Sequence, residues 1–251
     1  MLKNGPVRNV PNIGMNKKDI FKILFGVSPK AVKENCLIMP LLPKKALEYL
    51  SARSYIRGKL YGTAQAKNFT LIHAGMHPVL VMDVVLYLKE SSCKNILLFG
   101  SCGLAKERQG FSLGSLVSPF QCLAADSASA ILTQPVESLR SYYPEEKFFR
   151  SLLKAGEPYK LKSTTCLTTA SLKLEEERLE RWVNRGVEVF DMELAGFFSA
   201  ASFSGLNACA LFYISDIVKN KPFYLKHDPV LGGKLNQALI DACSLIKEFL
   251  K

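Results

Sequence analysis

The sequence predicts an α/β fold, on three observations. Its 251 residues, 48% apolar and 22% charged, are enough for one large core and carry no disordered or collagen-like bias. Residues 187–216 read as strand, helix, strand. Within them 187–190 is short and β-prone, 194–203 is apolar with small residues, Gly205 suits a helix C-terminus, and 208–214 is an almost unbroken apolar run fit for a buried parallel strand. Glu193 and Asp216 stand where the apolar pattern of the two strands stops, and parallel α/β sheets bind ligands at the carboxyl ends of their strands. Two carboxylates are thereby aimed at one crevice.

Taken in order, residues 1–35 hold Gly5, Pro6, Pro11, Gly14 and several lysines, with one short amphipathic segment over 19–25. They read as an N-terminal extension ahead of a domain at 36–251. That domain opens with a short strand from Cys36, then a turn bounded by Pro40 and Pro43, then a helix over 44–52. Residues 60–63 and 69–73 form a hairpin, followed by Ala74-Gly75-Met76-His77-Pro78 and an apolar helix over 79–88. A buried strand over 95–99 ends in Gly100-Ser101-Cys102-Gly103-Leu104, where small residues let backbone groups reach a ligand.

Leu113-Gly114-Ser115-Leu116-Val117 starts the next strand, 127–144 is loop, 145–153 is helix and 162–169 is strand. Ser171 caps a helix over 172–185, which has Glu175, Glu176 and Glu177 early, Arg185 late and Gly186 as terminator. The acidic run reads as a solvated helix face. Beyond Asp216, Lys219, Lys221, Pro222, Lys226 and His227 form a lid, and a final helix covers 233–249.

Composition removes several function classes. Residues 1–16 lack an apolar signal core and the longest apolar runs are too short to span a bilayer, so the expectation is a soluble, cytoplasmic protein with no membrane partner. Seven cysteines without a C-x-x-C motif, most in apolar surroundings, predict reduced core thiols. Three histidines give little support to a metal site, and none is expected. The net charge of +11 is scattered rather than striped and no nucleic-acid module accompanies it, so it points to solubility or to drawing an anionic substrate toward a cleft, not to a nucleic-acid partner.

Phe190-Asp191-Met192-Glu193 followed by Ile214-Ser215-Asp216 resembles the "(D/E)-M-E … S-D" pair of the nucleoside phosphorylase and nucleosidase family. That family includes purine nucleoside phosphorylases, uridine phosphorylases and methylthioadenosine/S-adenosylhomocysteine nucleosidases. The resemblance runs in consistent order from Cys36 to the C-terminus. Met39-Pro40 and Pro43 are similar to the phosphorylase opening "M-P-G-D-P-x-R-A", Gly100-Ser101-Cys102-Gly103 to "V-G-(S/T)-C-G", Leu113–Val117 to "x-G-D-(V/L)-V", and Thr168-Thr169-Ala170-Ser171-Leu172 to "S-A-D-x-F".

The resemblance implies a three-layer α/β/α domain with a mixed, partly barrel-like central sheet, assembled as a homo-oligomer (dimer, trimer or hexamer). It implies that Glu193 grips the ribose hydroxyls with Met192 and Met76 against the sugar, and that Asp216 meets N7 of a purine as general acid. Ser101 and Lys45 would hold phosphate or face the nucleophile, and Cys102, Gly103, Phe190 and Leu172 would lie along the base. The acid assignment is also sound chemistry, because the oxocarbenium character that builds on the sugar is relieved when the departing purine is protonated. The chain departs from the pattern at Leu41 for a turn glycine, Lys45 for an arginine, His77 for a glycine, Leu98 for an arginine and Leu172 for a stacking aromatic.

Three functions follow as alternatives. The first is phosphorolysis of a purine nucleoside, with phosphate as co-substrate and no cofactor, favoured by the turn from Met39 to Lys45. The second is hydrolysis of a purine or modified nucleoside, for which residues 40–45 supply no water-activating acid. The third is nucleoside binding without catalysis.

Overall fold

The computed structural model describes residues 16–127, 129, 132, 139–225 and 228–251. Among them, strands β1 (Asn35–Met39), β2 (Arg53–Arg57), β3 (Gly62–Gln65), β4 (Phe69–His73), β5 (Asn95–Leu104), β6 (Leu116–Ala125), β7 (Ser141–Tyr142), β8 (Lys162–Thr169), β9 (Val189–Asp191) and β10 (Asn207–Ile217) form one mixed sheet. Part of this sheet closes on itself. β5 runs parallel to β10, β10 antiparallel to β6, β6 parallel to β8, β8 parallel to β9, and β9 antiparallel back to β5. The result is a closed five-stranded mixed barrel. From β5 an open wing extends through β1 and β4, both parallel, to β3 and β2, both antiparallel.

Alternating residues of the wing and barrel strands feed two cores, because successive side chains on a strand point to opposite faces. Ile38, Ile72, Ile96, Leu98, Ala210 and Phe212 join one core, under α1 (Lys17–Phe25), α3 (Pro78–Leu88) and α7 (Leu194–Ser204). Leu37, Leu71, Leu97, Phe99, Cys209 and Leu211 join the other, under α2 (Ala46–Tyr49), α4 (Glu146–Ala155) and α8 (Pro229–Phe249). Helices on both faces of one sheet make the three layers that the sequence predicts. A smaller third core gathers Trp182, Leu179, Leu167 and Phe190 beneath α5 (Leu172–Glu177) and α6 (Leu179–Val183). All seven cysteines are buried and unpaired. No helix of the described residues is long and apolar enough to cross a membrane.

Several boundaries differ from the sequence reading. β5 does not stop at residue 99 but continues through Gly100-Ser101-Cys102-Gly103-Leu104, because β10 on one side and β9 on the other satisfy its backbone groups out to Leu104. β10 likewise runs to Ile217, so Asp216 lies inside the strand at a register shift between Ile214 and Asp216. The helix expected over 172–185 breaks at Arg178, whose φ of −106° and ψ of 13° interrupt it; Ser171 still caps it, accepting from Leu174 N–H.

The helix expected over 44–52 shrinks to Ala46–Tyr49. The last helix starts at Pro229, four residues before Gly233, because Asp228 accepts from Leu231 N–H and proline suits the first helical position. β2 escapes the sequence reading because all five of its residues are exposed and no alternation marks it. Within the expected loop over 127–144 the chain forms the short strand β7, while residues 128, 130, 131 and 133–138 of that loop, like Lys226 and His227 of the lid, lie outside the described residues.

The segment 19–25 belongs to α1, capped by Asn16 and ended by Gly26 in the left-handed region at φ 76°. Its Phe21 and Phe25 stack at 4.2 Å and are fully buried in the first core, where Phe25 also meets Tyr61. The Thr63 hydroxyl donates to the Phe25 carbonyl. Phe25→Ala should therefore lower stability by roughly 3–5 kcal/mol, read from the urea midpoint; a loss below about 1 kcal/mol would mean that α1 is an appendage rather than part of the core.

Candidate functional site

Asp191 organises the site. It ends β9 and is buried, and its carboxylate collects four donors. The Thr168 hydroxyl reaches Oδ1 at 2.6 Å and the Cys166 thiol reaches it at 3.5 Å, while the amides of Glu193 and Leu194 reach Oδ2 at 2.8 and 2.6 Å. Thr168 also accepts from the Ala195 amide at 2.9 Å. The two side chains thus satisfy three free N–H groups at the start of α7, where the helix dipole favours an anion. Burial pushes the Asp191 carboxyl up to about 6, and these hydrogen bonds oppose the rise.

Glu193, two residues on, is fixed by its own amide on Asp191, while its carboxyl has no hydrogen-bond partner among the described residues. It is only 9% exposed. Burial, reinforced by the Asp191 charge, pushes it up to about 8. Met192 beside it is half-buried. Phe190 is turned away, 2% exposed, into the third core, while its backbone pairs with Gly103.

Gly103 is the meeting point of β5, β9 and β10. A methyl group there would stand 3.1 Å from Asp216 Oδ2 and 3.6 Å from Glu175 Oε1, so glycine leaves the room into which two carboxyls project. Asp216 is 8% exposed, and the Ser215 hydroxyl donates to its Oδ1 at 2.6 Å while also lying 3.3 Å from the Cys102 carbonyl. One oxygen is oriented by serine and the other faces Gly103. Cys102 is buried, and its thiol is held well above the usual range, first by burial and then by the charges of Asp216, Asp191 and Glu175. That ranking places all three acids near one point of β5.

Glu175 corrects the reading of the acidic run as a solvated face. Glu176 and Glu177 do face outward, pairing with Tyr224 and Lys173, but Glu175 is 6% exposed. Burial first, then Asp216, Glu176 and Asp191, push it up to about 8. A signal was present in the sequence. Glu175, Leu179 and Trp182 stand at the i, i+4, i+7 spacing of one helix face, and Leu179 and Trp182 are buried.

The remaining predicted residues are spread more widely. Ser101 is exposed on β5 and hydrogen-bonds to Tyr213, whose phenol is pushed up by burial against that bond. Lys45 is exposed at the head of α2, Met76 is 66% exposed in the turn before α3, and Leu172 is 39% exposed at the start of α5. Leu98, where the resemblance has an arginine, is fully buried in the first core, and Leu41 is 52% exposed. His77 accepts from the Val79 amide and so caps α3.

Cys122, Cys166 and Asp191 bring their ligand atoms within 4.8 Å of one another. The Asp191 oxygens are already committed to protein donors, and burial with the neighbouring Cys122 pushes the Cys166 thiol upward, so this cluster reads as hydrogen-bonded core. A groove of about 520 Å³ lies elsewhere, between Arg108, Lys160, Lys162 and Lys234; Asp241 lines it, and Glu175, Asp191, Glu193 and Asp216 do not.

The shifted carboxyls give a testable sign. Folded Glu175 and Glu193 hold protons more tightly than unfolded carboxyls, whose ordinary value is 4.5, so the folded state binds more protons between about pH 4.5 and about pH 8 and stability falls as pH rises through that window. Glu193→Gln should flatten the fall by roughly 1–4 kcal/mol, measured as the change in unfolding free energy between the two ends of the window. An unchanged pH slope in the variant would refute the burial argument.

The chain matches the family model described as the phosphorylase superfamily over residues 30–251. No curated protein matches it by sequence. Among solved structures, 5′-methylthioadenosine/S-adenosyl homocysteine nucleosidase of Campylobacter jejuni superposes with a TM-score of 0.69 at 13% identity, covering 87% of this chain and 98% of that one. Uridine phosphorylase of Vibrio fischeri gives 0.71 at 14% identity, with coverages of 89% and 94%. AMP nucleosidase of Bacteroides thetaiotaomicron gives 0.67 at 18% identity, with coverages of 93% and 99%. These likenesses carry the closed-barrel α/β fold, and with the family match over nearly the whole chain they make this protein a member of the phosphorylase superfamily of nucleoside phosphorylases and nucleosidases.

Proposed function

We propose that this protein cleaves the N-glycosidic bond of a purine nucleoside by phosphorolysis, with inorganic phosphate as co-substrate, giving free base and ribose 1-phosphate. The observation that carries the reading is the convergence of Asp216 on Gly103, with Glu193 held at the start of α7. In this reading the base lies along the Gly103 backbone and Asp216, whose Oδ2 is beside that glycine, protonates N7 as the bond to the sugar breaks. Glu193, a buried residue whose carboxyl has no hydrogen-bond partner among the described residues, suits the paired hydroxyls of a ribose, with Met192 against the ring. In this reading Met76 is assigned to the sugar side and Cys102 and Leu172 to the base, while Phe190, its side chain turned into the third core, would border the base only through the backbone that pairs with Gly103. The proteins of like fold carry both phosphorylase and nucleosidase in their names.

For the nucleophile, Ser101 and Lys45 are both exposed and available to an anion. A second reading, hydrolysis, draws on Leu98, which lies sealed in the core and offers no donor to an oxyanion. Subunit association and a cytoplasmic setting belong to the proposal.

Asp216→Asn should lower kcat by on the order of a hundredfold with the fold intact; full activity would remove Asp216 as the acid. Incubating inosine and adenosine with and without phosphate tests the nucleophile. The expected product is ribose 1-phosphate formed only with phosphate. Free ribose at a phosphate-independent rate would establish hydrolysis instead, and nucleoside binding without any cleavage would leave a binding protein.

A further inference from the structure

Cations that are scattered along the sequence are gathered by the fold on one side of the molecule. Arg108, Lys160 and Lys162 at the head of β8, and Lys234 of α8 line the groove of about 520 Å³, into which one acid, Asp241, also faces. A neighbouring groove of about 700 Å³ shares Arg108, Phe111 and Lys162 with it and adds Arg150 and Lys154 of α4, with Glu157 as its acid. Arg108 pairs with Glu188 and Arg150 with Glu146, but Lys154, Lys160 and Lys234 make no ion pair among the described residues. Even with those two acids counted, cations outnumber acids along the trough. Lys162 opens β8 and Thr168 lies six residues along it, about 20 Å away, so the trough is separate from the candidate active site.

The backbone is arranged around these cations. Lys162 Nζ donates to the Gly110 carbonyl, and any side chain at residue 110, where φ is 83°, would collide with that ammonium. The Arg108 and Lys162 heads lie 4.0 and 5.1 Å from the centroid of the Phe111 ring, which holds both where the two grooves meet. Lys160 sits in the left-handed region at φ 55° and ψ 35°, a conformation unfavourable for any residue with a Cβ, and yet the chain carries a lysine there rather than glycine. Phe111 is buried under the two cations and the Tyr159 hydroxyl donates to Glu248, so neither ring is free to stack a base. The trough offers charge in a row, not a stacking platform.

We propose that this trough is a second binding site, for a ligand carrying a chain of linked phosphates, either inorganic polyphosphate or the phosphate tail of a nucleotide. Successive phosphates present closely spaced negative charges, which suit lysines and arginines contributed in turn by α4, β8 and α8 around the Arg108 head, with the guanidinium able to take two oxygens of one phosphate. The proposal does not rest on the cleavage reaction above.

Titration calorimetry of the whole protein with tripolyphosphate, ATP, orthophosphate and a single-stranded RNA oligonucleotide tests it. Tripolyphosphate should bind one to one, roughly tenfold or more tighter than orthophosphate, and more weakly as salt is raised. Lys160→Gln combined with Lys234→Gln should lower that affinity by roughly tenfold or more. Lys18→Gln combined with Lys22→Gln, the same charge change on exposed side chains of α1, should leave it nearly unchanged. Lys160→Gly, which relieves the left-handed backbone, should weaken binding with Tm near that of wild type, separating loss of the site from loss of the fold. ATP binding as tightly as tripolyphosphate means that the phosphates alone are recognised, and tighter ATP binding adds a contact to the nucleoside; both uphold the site. The proposal falls if neither ligand binds, if orthophosphate binds as well as tripolyphosphate, or if the two double variants lose affinity equally. It also falls if the RNA binds more tightly than tripolyphosphate, which would make the trough a nucleic-acid track, or if Lys45→Gln abolishes binding, which would place the anion in the candidate active site.

Discussion

The site depends on one buried anion held in place. Asp191 joins β8, through Thr168 and Cys166, to the first turn of α7, through the amides of Glu193 and Leu194. Burial pushes its carboxyl upward, and its hydrogen bonds and the helix dipole favour the charged form against that push. That charge then acts on its neighbours. Glu193 and Glu175 both feel it, and it adds to burial in holding their carboxyls protonated well above the ordinary range. A single capped carboxylate thus fixes the geometry of the helix start and sets the protonation of the acids around it.

The closed barrel supplies the second constraint. β5 can continue through Gly100 and Gly103 because β10 pairs with it out to Leu104 and β9 joins on the other side at Gly103 and Leu104. Glycine-containing strand is intrinsically weak, and here the ladders offset that weakness. Gly103 consequently sits in a rigid wall rather than a mobile turn, with Asp216 entering from the bulge in β10 and Glu175 from α5. Two carboxyls from elements far apart in sequence can meet over a glycine because nothing occupies its side-chain volume.

Much of this was legible in the sequence. The apolar runs at 95–99 and 208–214, the helix over 194–203 with Gly205 as its end, and the Ser171 cap all follow from periodicity and local capping chemistry, and the structure has them with small shifts. The short motif around Asp191-Met192-Glu193 and Ser215-Asp216 pointed to the region where the acids gather. What failed locally failed for tertiary reasons. Strand β2 is wholly exposed and carries no alternation, and the extension of β5 beyond residue 99 is imposed by partners that no local pattern announces. Glu175 lay hidden in a run of three acids, where composition says solvent and only the helical register with Leu179 and Trp182 says interior.

The sequence by itself determined the α/β class, most of its elements, the family to which its motifs belong, and the two carboxylates near the ends of β9 and β10, because each of these rests on patterns within a few neighbouring residues. Tertiary structure alone decided that the sheet closes into a barrel, that Asp191 serves as the cap of α7, that Phe190 turns into the core and that Leu98 is sealed within it. It also decided that Glu175 faces Asp216 across Gly103. Protonation at this site is set by burial and by charges brought together from β5, β9, β10 and α5, and such distances exist only once the chain has folded.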